Sequence, residues 1–465
     1  MHASLLTDIF QEIRRAEDLP MEFSAAALGE AENVEPADVD RDDLRHIPFV
    51  TIDPPDARDL DQAMALESLA TGAIRVRYAI ADVPSFVTSG SALDVDARQR
   101  GMTVYCPDRS VPLHPVDMSE DAASLLPDRD RPAVVFEMDV DGDGELLRSD
   151  IGRAMVRSRR RLDYATVQGE FDQGEPPEPI ALLERFGRAR IEQAVERGAI
   201  NLRLPEQEIE PHEGHWRLVD RVEYPVERWN AEVSLLTGMV AADLMVEAGI
   251  GILRTLPAPT PEALGMLRGA AKGLGIAWSR DDTAAAILAS LDPARPRQHA
   301  LFEHATRLLR GAGYLGFADG PPAGDHGHAG VAAVYSHVTA PLRRLVDRFT
   351  LATCVALAAD EPVPGWVVEA IDDVPVIMQA TGARARNVED RCINAVEAWV
   401  LKDRLDERFD AVVVSSSKRG AEVWIDDPPV LTWIDGLNSK PGSVITVEVA
   451  AVDPEKGEVK LEMVA

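Results

Sequence analysis

The sequence predicts an α+β protein, and three stretches of contrasting pattern support this fold class. Short β-rich runs, separated by turns with proline or glycine, come first at Phe49–Ile52, Ile74–Ile80 and Ala133–Val140. Residues from about 180 to 400 follow a mostly helical pattern, and the C-terminal tail returns to short strands. Strands and helices that are segregated along the chain are typical of α+β proteins with more than one domain.

The N-terminal residues 1–45 are predicted to form a small helical module. Apolar side chains recur at helical spacing within residues 5–16, and residues 22–32 can form a second short helix. The acidic stretch Asn33–Asp43 is typical of a linker. The pattern therefore predicts two helices, in an arrangement that could resemble a helix-turn-helix.

The helical block and the tail each divide into segments. The clearest helical segments are Asn230–Ala248, Arg297–Ala312, Pro341–Ala359 and Asn387–Leu405. The strand candidates of the tail are Phe409–Val414, Ala421–Ile425, Val430–Trp433, Ser443–Val452 and Glu458–Met463. Five short strands predict a small OB-type barrel over residues 405–465, a fold that often binds nucleic acid. A barrel without a ligand fits this pattern nearly as well.

Length and composition exclude several classes of protein. At about 150 residues per domain, 465 residues predict roughly three domains. The hydrophobic share of 46% and the charged share of 27% exclude collagen-like and wholly disordered chains. No apolar run reaches the ~18 residues of a membrane span, and Cys106, Cys354 and Cys392 form no CxxC motif. We expect a cytoplasmic protein with no membrane partner, no disulfide framework and no zinc knuckle.

The net charge of −31 argues against a nucleic-acid partner, because such partners usually bind a basic surface. However, 42 of the 48 basic residues are arginine, which favours bidentate contacts with carboxylate or phosphate. Five arginines fall within residues 153–161, and three fall within residues 343–348. Either solvated surfaces or a local phosphate path would explain these clusters, so the mean charge does not decide the partner.

An unusual group of carboxylates follows the first predicted strand. In the segment FVTIDPPDARDLDQA, four aspartates fall within nine residues, at Asp53, Asp56, Asp59 and Asp61. Mg²⁺ prefers oxygen ligands, and two such ions about 4 Å apart can activate water and stabilise a leaving oxygen at phosphorus. The alternative is a turn rich in aspartate whose charge is balanced by Arg58. The segment alone leaves both interpretations open.

A second segment, YSHVTAPLRRLVDRF, combines a predicted helix start with paired cations. Pro341 suits the first turn of a helix capped by Thr339, which would put Arg343 and Arg344 near the positive helix end. Two guanidinium groups beside backbone N–H groups would bind phosphate well. The alternative is an amphipathic helix whose arginine pair answers Asp347.

Together the two segments resemble the ribonuclease II/ribonuclease R family, whose catalytic unit is the RNB domain. The family pattern is roughly TIDxxDARDxDDA followed by Y-[ST]-H-[FV]-T-[SA]-P-[IL]-R-R, and this chain has TIDPPDARDLDQA and YSHVTAPLRR in the same order. The resemblance covers about residues 46–400, and the tail resembles the family's OB-type RNA-binding module. It implies an RNB catalytic domain over residues 46–404, with a mixed sheet packed with helices. It also implies Mg²⁺-dependent hydrolysis of single-stranded RNA from the 3′ end to nucleoside 5′-monophosphates.

The resemblance also implies roles for individual residues. Asp53, Asp59 and Asp61 match the family's metal-binding carboxylates, and Asp61 and Arg343 match catalytic positions. Tyr105, in MTVYCP, matches the aromatic residue that stacks on the terminal base, and Glu232 matches a glutamate of the family's VEE segment. The implied RNA-binding residues are Tyr105, Glu232, His337, Arg343 and Arg344.

The chain departs from the family pattern in three places. Gln62 stands where the family usually has its last aspartate, so Gln62→Asp is expected to preserve or raise activity at limiting Mg²⁺ unless the amide has a role of its own. A short helical segment stands where the family usually has two cold-shock domains. The family's second base-clamping aromatic would fall near Ala199–Pro205, which contains none.

Two further motifs are interpreted as structural. Asp139–Asp150 fits most of a calcium-binding EF-hand loop, but its last position is Asp150 rather than Glu and a strand pattern precedes it. A β-hairpin turn at Gly142–Gly144 explains this segment better. His326, His328 and His337 lack the cysteine or carboxylate that would complete a familiar zinc spacing.

The leading hypothesis is a 3′→5′ exoribonuclease with Mg²⁺ as cofactor and single-stranded RNA as partner; no protein partner is indicated. The rival hypothesis is a catalytically weakened RNB protein that binds RNA as a regulator, because of Gln62 and the absent N-terminal barrels. A third hypothesis is a phosphodiesterase that acts on DNA or small nucleotides. Under the first hypothesis, the arginine clusters at 153–161 and 343–348 are expected to line a narrow positive path inside an acidic shell.

Overall fold

A computed structural model describes residues 3–202, 206–212, 215–221, 223–292, 295–425 and 427–464. The strands are β1 (Asp42–Asp43), β2 (Phe49–Ile52), β3 (Gln62–Ser68), β4 (Ile74–Ala81), β5 (Val104–Cys106), β6 (Arg109–Val111), β7 (Asp130–Val140), β8 (Leu146–Leu162), β9 (Glu206–His212), β10 (His215–Arg221), β11 (Gly251–Thr255), β12 (Gly313–Phe317), β13 (Arg408–Ser417), β14 (Gly420–Ile425), β15 (Val430–Asp435), β16 (Val444–Asp453) and β17 (Glu458–Met463). The helices are α1 (Ala3–Ala16), α2 (Ala25–Ala31), α3 (Val83–Phe86), α4 (Ala92–Arg100), α5 (Tyr164–Asp172), α6 (Leu183–Arg197), α7 (Pro225–Ala248), α8 (Pro261–Gly273), α9 (Ala284–Ser290), α10 (Pro296–Ala305), α11 (Leu345–Ala358), α12 (Gly365–Val368) and α13 (Asp373–Leu401). Within these ranges we find no helix with the length and apolar character that a membrane span requires.

The centre of the fold is a six-stranded mixed sheet in the order β1-β8-β2-β3-β4-β7. Strand β8 pairs in parallel with β1 and β2 and also antiparallel with β7, so the strand order closes on itself. The long β8 takes part in both ends of this arrangement because it runs for 17 residues. The predicted α+β class, with a mixed sheet packed with helices, is confirmed.

Both faces of the sheet are buried. On β4, Ile74, Val76, Tyr78 and Ile80 join one hydrophobic cluster, which includes residues of α7. The alternate residues Ala79 and Ala81 join a second cluster with residues of α2 and α4 on the other face. Successive side chains of a strand point to opposite faces, so these two sets follow from the strand period of two.

The C-terminal tail forms a five-stranded antiparallel sheet in the order β15-β14-β13-β16-β17 around its own hydrophobic cluster. All five strand candidates are confirmed, and each agrees with an observed strand to within a few residues. Leu401, the last residue of α13, belongs to this cluster and joins the tail to the helical block. The predicted OB-type barrel is therefore the observed architecture of the tail.

The two N-terminal helices bury their apolar faces in different places. Leu6, Phe10 and Ile13 of α1 pack in one cluster with residues of α13. Ala27 and Ala31 of α2 pack in another cluster, which includes residues of α4. The limits of the three predicted domains, 1–45, 46–404 and 405–465, stay predictions.

Several elements differ from the sequence prediction. The block assigned as mostly helical also contains the hairpin β9–β10 and the strand pair β11–β12. The helix predicted over Pro341–Ala359 is observed only over Leu345–Ala358, so the interpretation of Pro341 as a first-turn residue is wrong. Arg344 has extended backbone angles (φ −134°, ψ 125°) and forms a β-bridge with Met102, which is incompatible with a helix at this position.

Candidate active site

The carboxylate-rich segment is a loop that runs from the end of β2 to the start of β3. The backbone N–H of Asp53 donates to the carbonyl of Leu162 on β8 (3.1 Å), which fixes the start of the loop. At the other end, the N–H of Leu60 donates to the Ser124 hydroxyl (3.0 Å). The same hydroxyl donates to the carbonyl of Arg58 (2.6 Å). The loop is therefore held at both ends, and Ser124 is a supporting residue that sequence reasoning missed because it lies in no recognisable motif.

Asp61 is buried and held on two sides by the second motif. Its Oδ1 accepts a hydrogen bond from the backbone N–H of Leu342 (2.7 Å), and its Oδ2 lies 3.3 Å from Nε of Arg343. Burial raises the pKa of Asp61 to about 8, although Arg343 and the Leu342 N–H both favour the charged form. The fold thus brings together two segments that are 281 residues apart in sequence.

Asp53 lies at the other end of the same loop and is half-buried. Burial raises its pKa to about 6, while the charge of Arg343 acts in the opposite direction. Its Oδ2 is buried and has no hydrogen-bond partner. Asp59 lies between these two residues in sequence, and its charge acts on both.

The carboxylates of this loop are candidate metal ligands. Across the described ranges, no group of three or more His, Cys, Asp or Glu side chains is already arranged to hold a metal ion. Two observations nevertheless fit a divalent cation: the unpartnered buried oxygen of Asp53, and the cost of keeping Asp53 and Asp61 charged in a buried site. Hard carboxylate oxygens are the donors that Mg²⁺ prefers. The donor set therefore fits Mg²⁺.

Gln62, which replaces an aspartate of the family pattern, faces the second motif. Its Nε2 donates a hydrogen bond to the backbone carbonyl of Thr339. Asp would lack this donor and would present a carboxylate to a carbonyl oxygen. The amide thus has a structural partner of its own, two residues before Pro341.

Arg343 and Arg344 have different environments. Arg344 forms a bidentate ion pair with the buried Asp347, with distances of 3.0 and 2.7 Å. Asp347 also accepts a hydrogen bond from the N–H of Ala340 (2.7 Å), so it folds the turn that precedes α11. The side chain of Arg343 is 47% exposed and faces Asp61. Arg344 therefore pairs with Asp347, as the alternative interpretation predicts, whereas Arg343 is available to a ligand.

Tyr105 lies on β5, in a hairpin beside these residues. Its side chain is exposed, with 57% of the residue accessible, and its hydroxyl lies 3.5 Å from Oδ2 of Asp59. The backbone N–H of Thr103 donates to the carbonyl of Arg343 (2.9 Å), so the strand that carries Tyr105 is bonded directly to the arginine segment. The fold therefore brings Tyr105, Asp59 and Arg343 to one place.

The other two predicted residues differ in exposure. His337 is half-buried, its Nδ1 lies 2.8 Å from the Tyr314 hydroxyl, and desolvation holds its pKa well below the usual range. Glu232 lies on α7 and is only 4% exposed. Burial raises the pKa of Glu232, while Arg190, Arg197 and Arg228 lower it. The charges that act on Glu232 are thus these three arginines rather than the aspartates of the loop.

The arginine clusters at 153–161 and 343–348 do not form the expected positive path. Six of these eight arginines form ion pairs with carboxylates: Arg153 with Asp82, Arg157 with Asp130, Arg160 with Glu170, Arg343 with Asp61, Arg344 with Asp347 and Arg348 with Asp94. Arg159, Arg160 and Arg161 are exposed on β8, and Arg161 donates to the carbonyl of Ala57 (2.8 Å). The expectation of one continuous buried channel is therefore wrong, because carboxylates of the protein pair with most of these guanidinium groups and three of the arginines lie exposed on β8.

The EF-hand-like segment forms the β7–β8 hairpin, as the sequence predicts. Oδ1 of Asp141 accepts hydrogen bonds from the N–H groups of Asp143 (3.0 Å) and Glu145 (2.9 Å). Gly144 has a φ of +87°, and a side chain there would meet the backbone of Ala189. The acidic side chains thus shape a turn.

Two protein-family models match this chain. The RNB domain family matches residues 41–354, and the RNase II-type exonuclease C-terminal S1 domain family matches residues 407–464. Ribonuclease R of Escherichia coli is 29% identical over 449 residues, which cover 90% of this chain and 53% of that relative. The human exosome complex exonuclease RRP44 is 29% identical over 324 residues, which cover 66% of this chain and 33% of that relative. The chain thus spans between a third and about half of the length of these relatives.

Solved structures of low sequence identity share the fold. Mycoplasma genitalium RNase R in complex with ribose methylated single-stranded RNA superimposes with a TM-score of 0.86 at 19% identity, covering 98% of this chain and 77% of that chain. Yeast Ssd1, described as a pseudonuclease, superimposes with a TM-score of 0.74 at 14% identity, covering 92% of this chain and 55% of that chain. The fold therefore occurs both in a nuclease and in a protein described as a pseudonuclease.

Proposed function

Since the chain belongs to the RNB-domain exoribonuclease family, we propose that it is a Mg²⁺-dependent hydrolase that degrades single-stranded RNA from the 3′ end to nucleoside 5′-monophosphates. The observation that carries the proposal is the pair of contacts from Asp61 to Leu342 and Arg343. These contacts join the carboxylate loop to the arginine turn, so an acid and a cation face one reaction site.

Asp53, Asp59 and Asp61 are the residues that would hold Mg²⁺. When bound, the ion would lower the pKa of a water molecule and offset charge on the oxygens at phosphorus. Asp61 is fixed by two contacts and is assigned to orient the attacking water. A catalytic group that is already held in position loses little entropy during the reaction. The two contacts to Asp61 therefore favour catalysis.

Arg343 is assigned to the phosphate at the scissile bond. Water adds its hydroxyl to phosphorus, the bond from phosphorus to O3′ breaks, and O3′ takes up a proton. The products are RNA shortened by one nucleotide, with a 3′-hydroxyl, and a nucleoside 5′-monophosphate. The half-exposed guanidinium of Arg343 can stabilise the negative charge that develops on the phosphoryl oxygens.

Tyr105 is assigned to the terminal base. An exposed aromatic ring can stack on any base, since every base has a π-face, so this contact suits an enzyme without sequence preference. Glu232, His337 and Arg344 stay proposed RNA-binding residues. Two bonds to Asp347 use only two of the five N–H groups of Arg344, which leaves donors for a phosphate.

The test is to incubate a 5′-labelled oligoadenylate with the protein in Mg²⁺ or in EDTA and to follow product lengths with time. We expect stepwise shortening from the 3′ end in Mg²⁺ only. Asp61→Asn should abolish turnover and leave RNA binding nearly intact. The matched control is Asp56→Asn, the same change at an exposed position of the same loop, which should retain turnover.

The second candidate function is an RNA-binding regulator without turnover. It is favoured by the amide of Gln62, which bonds to Thr339 where the family has a carboxylate, and by the fold shared with Ssd1. Tight RNA binding without shortening, by protein whose folding is verified, would establish this alternative. Equal cleavage of the matching DNA strand would instead support a phosphodiesterase of broader specificity.

A further inference from the structure

The hairpin β5–β6, which carries Tyr105, is too small to hold its shape alone. Each strand has three residues, and the register contains only the pairs Val104↔Val111, Tyr105↔Ser110 and Cys106↔Arg109. An isolated two-stranded hairpin is marginally stable at best in water. Because the Tyr105 ring is exposed, its position depends on the backbone that carries it.

The base of the hairpin is held by the arginine turn. Met102 forms a β-bridge with Arg344, and the N–H of Thr103 donates to the carbonyl of Arg343 (2.9 Å). The hydroxyl of Thr103 accepts from the N–H of Leu113 (3.0 Å), which closes the hairpin at its open end. These contacts fix the base but do not reach the turn at Pro107-Asp108.

The turn is held by the N-terminal helix. Two guanidinium nitrogens of Arg14, on α1, donate to the two carboxylate oxygens of Asp108, the second at 2.9 Å. The side chains are only 6% and 12% exposed, so this is a buried bidentate pair rather than a surface contact. The bond crosses 94 residues of sequence.

The helix that supplies Arg14 is itself well anchored. Leu6, Phe10 and Ile13 of α1 share a hydrophobic cluster with Val104 and Val111, the first pair of the hairpin. The same cluster contains residues of the long helix α13, namely Val388, Cys392, Ala395, Val396 and Trp399. Arg14 therefore connects the tip of the hairpin to the body of the protein.

We propose that Arg14 is a positioning residue for RNA, and that the N-terminal helix, through its bond to Asp108, sets the place where Tyr105 stacks on the 3′-terminal base. This inference rests on the proposed function, since it concerns the same RNA site. It gives residues 3–16 a role in substrate binding without any contact to RNA.

The first test measures the hairpin without RNA. Hydrogen exchange of the amides of residues 104–111 is compared in the wild type, Arg14→Gln and Asp108→Asn. Both variants lose the ion pair that holds the turn, so we expect amide exchange in this segment to become about tenfold faster. A factor of ten corresponds to about 1.4 kcal/mol of local stability. Glu17→Gln is the matched control, since it breaks the ion pair between Glu17, the residue after α1, and Arg391 (2.9 Å) but leaves the hairpin contact intact. Unchanged exchange in both variants would overturn the proposal.

The second test measures stacking on Tyr105. An oligoribonucleotide with 2-aminopurine at its 3′ end is bound in EDTA, and the quenching of its fluorescence is recorded. Arg14→Gln and Asp108→Asn should weaken binding of the quenched state about tenfold, the scale of one stacked base. In a Tyr105→Ala background the same changes should have no further effect. Full additivity with Tyr105→Ala would mean that Arg14 acts elsewhere, and would overturn the proposal.

The two experiments distinguish a folding defect, a failure of the proposed function and a failure of this inference. If Arg14→Gln does not fold, Asp108→Asn still decides, because Asp108 lies in a turn and the change keeps its size. Wild-type protein that binds the oligonucleotide without cleaving it would contradict the proposed function and leave both measurements of the hairpin valid. Wild-type protein that shows no quenching at all would overturn the stacking role together with this inference.

Discussion

Asp61 and Arg343 form an ion pair in which the carboxylate Oδ2 lies 3.3 Å from Nε of the guanidinium. The two partners differ sharply in exposure, since the Asp61 side chain is 3% exposed and the Arg343 side chain is 47% exposed. The acid is thus fixed from inside by the protein, whereas the cation extends outward. Such an arrangement lets one residue orient a nucleophile while the other meets the phosphate.

Arg343→Lys should lower kcat by about 100-fold and change KM much less. Lysine keeps the charge but cannot supply the planar fork of donors, and loss of one donor to a developing oxyanion typically costs a factor of about 10² to 10³. Single-turnover rates on 5′-labelled RNA measure the effect. Arg160→Lys, the same change at an exposed arginine of β8, is the control and should leave the rate unchanged. A normal rate for Arg343→Lys would remove Arg343 from the catalytic residues.

Gln62→Asp should reduce activity several-fold at saturating Mg²⁺. The sequence alone predicts preserved or higher activity at limiting Mg²⁺ unless the amide has a role of its own, and the amide does donate to the Thr339 carbonyl, which Asp cannot. The change would loosen the turn that carries Arg343. Initial rates over a range of Mg²⁺ concentrations separate the two expectations. A rate equal to or above the wild type at limiting Mg²⁺ would favour the expectation from sequence.

Asp347→Ala should destabilise the protein by about 3–5 kcal/mol, as is usual when one partner of a buried ion pair is removed. Asp347 is completely buried, and its loss would leave Arg344 and the N–H of Ala340 without an acceptor. Urea unfolding measures the change in the free energy of unfolding. Glu184→Ala, which breaks an exposed pair with Arg188, should cost less than about 1 kcal/mol. Similar losses for the two variants would contradict the role given to Asp347.

Glu397 on α13 should contribute a loss of stability as the pH rises from about 5 to 7. Its carboxylate accepts from the N–H of Leu431 (2.9 Å) on β15, and burial raises its pKa to about 7 from an ordinary 4.5. In this window the folded protein holds a proton that the unfolded chain has released, so the free energy of unfolding decreases with rising pH. The full effect is on the order of 3 kcal/mol.

Glu397→Gln should make this pH dependence shallower, because the amide can still accept from Leu431 but does not ionise, whereas Asp53 and Asp61, whose pKa values burial also raises, still titrate. The measurement is the midpoint of thermal unfolding between pH 5 and pH 8. Asp390→Asn, an exposed change on the same helix, should leave the pH dependence as it is in the wild type. An equally steep dependence in Glu397→Gln would show that Glu397 does not contribute to it.

The carboxylate loop shows how far local pattern can lead. The sequence alone revealed four aspartates after a buried strand, because β2 is apolar and prolines end it, and these signals are local. Which of the four become buried depends on distant partners: Asp61 needs Leu342, Asp53 needs β8, and Asp56 has neither and stays exposed. Burial and pKa therefore could not be read from spacing.

The ion-pair partners of the arginines could not be predicted from the sequence. The sequence determined three strands of the central sheet, the five strands of the tail, the clearest helices and the two motifs, since these depend on periodicity and on short-range turn chemistry. Only the tertiary structure decided that Arg344 pairs with Asp347 while Arg343 faces Asp61, and that Arg14 reaches Asp108. Two adjacent arginines cannot be distinguished by sequence alone. Each one pairs with the carboxylate that the fold brings within hydrogen-bond distance.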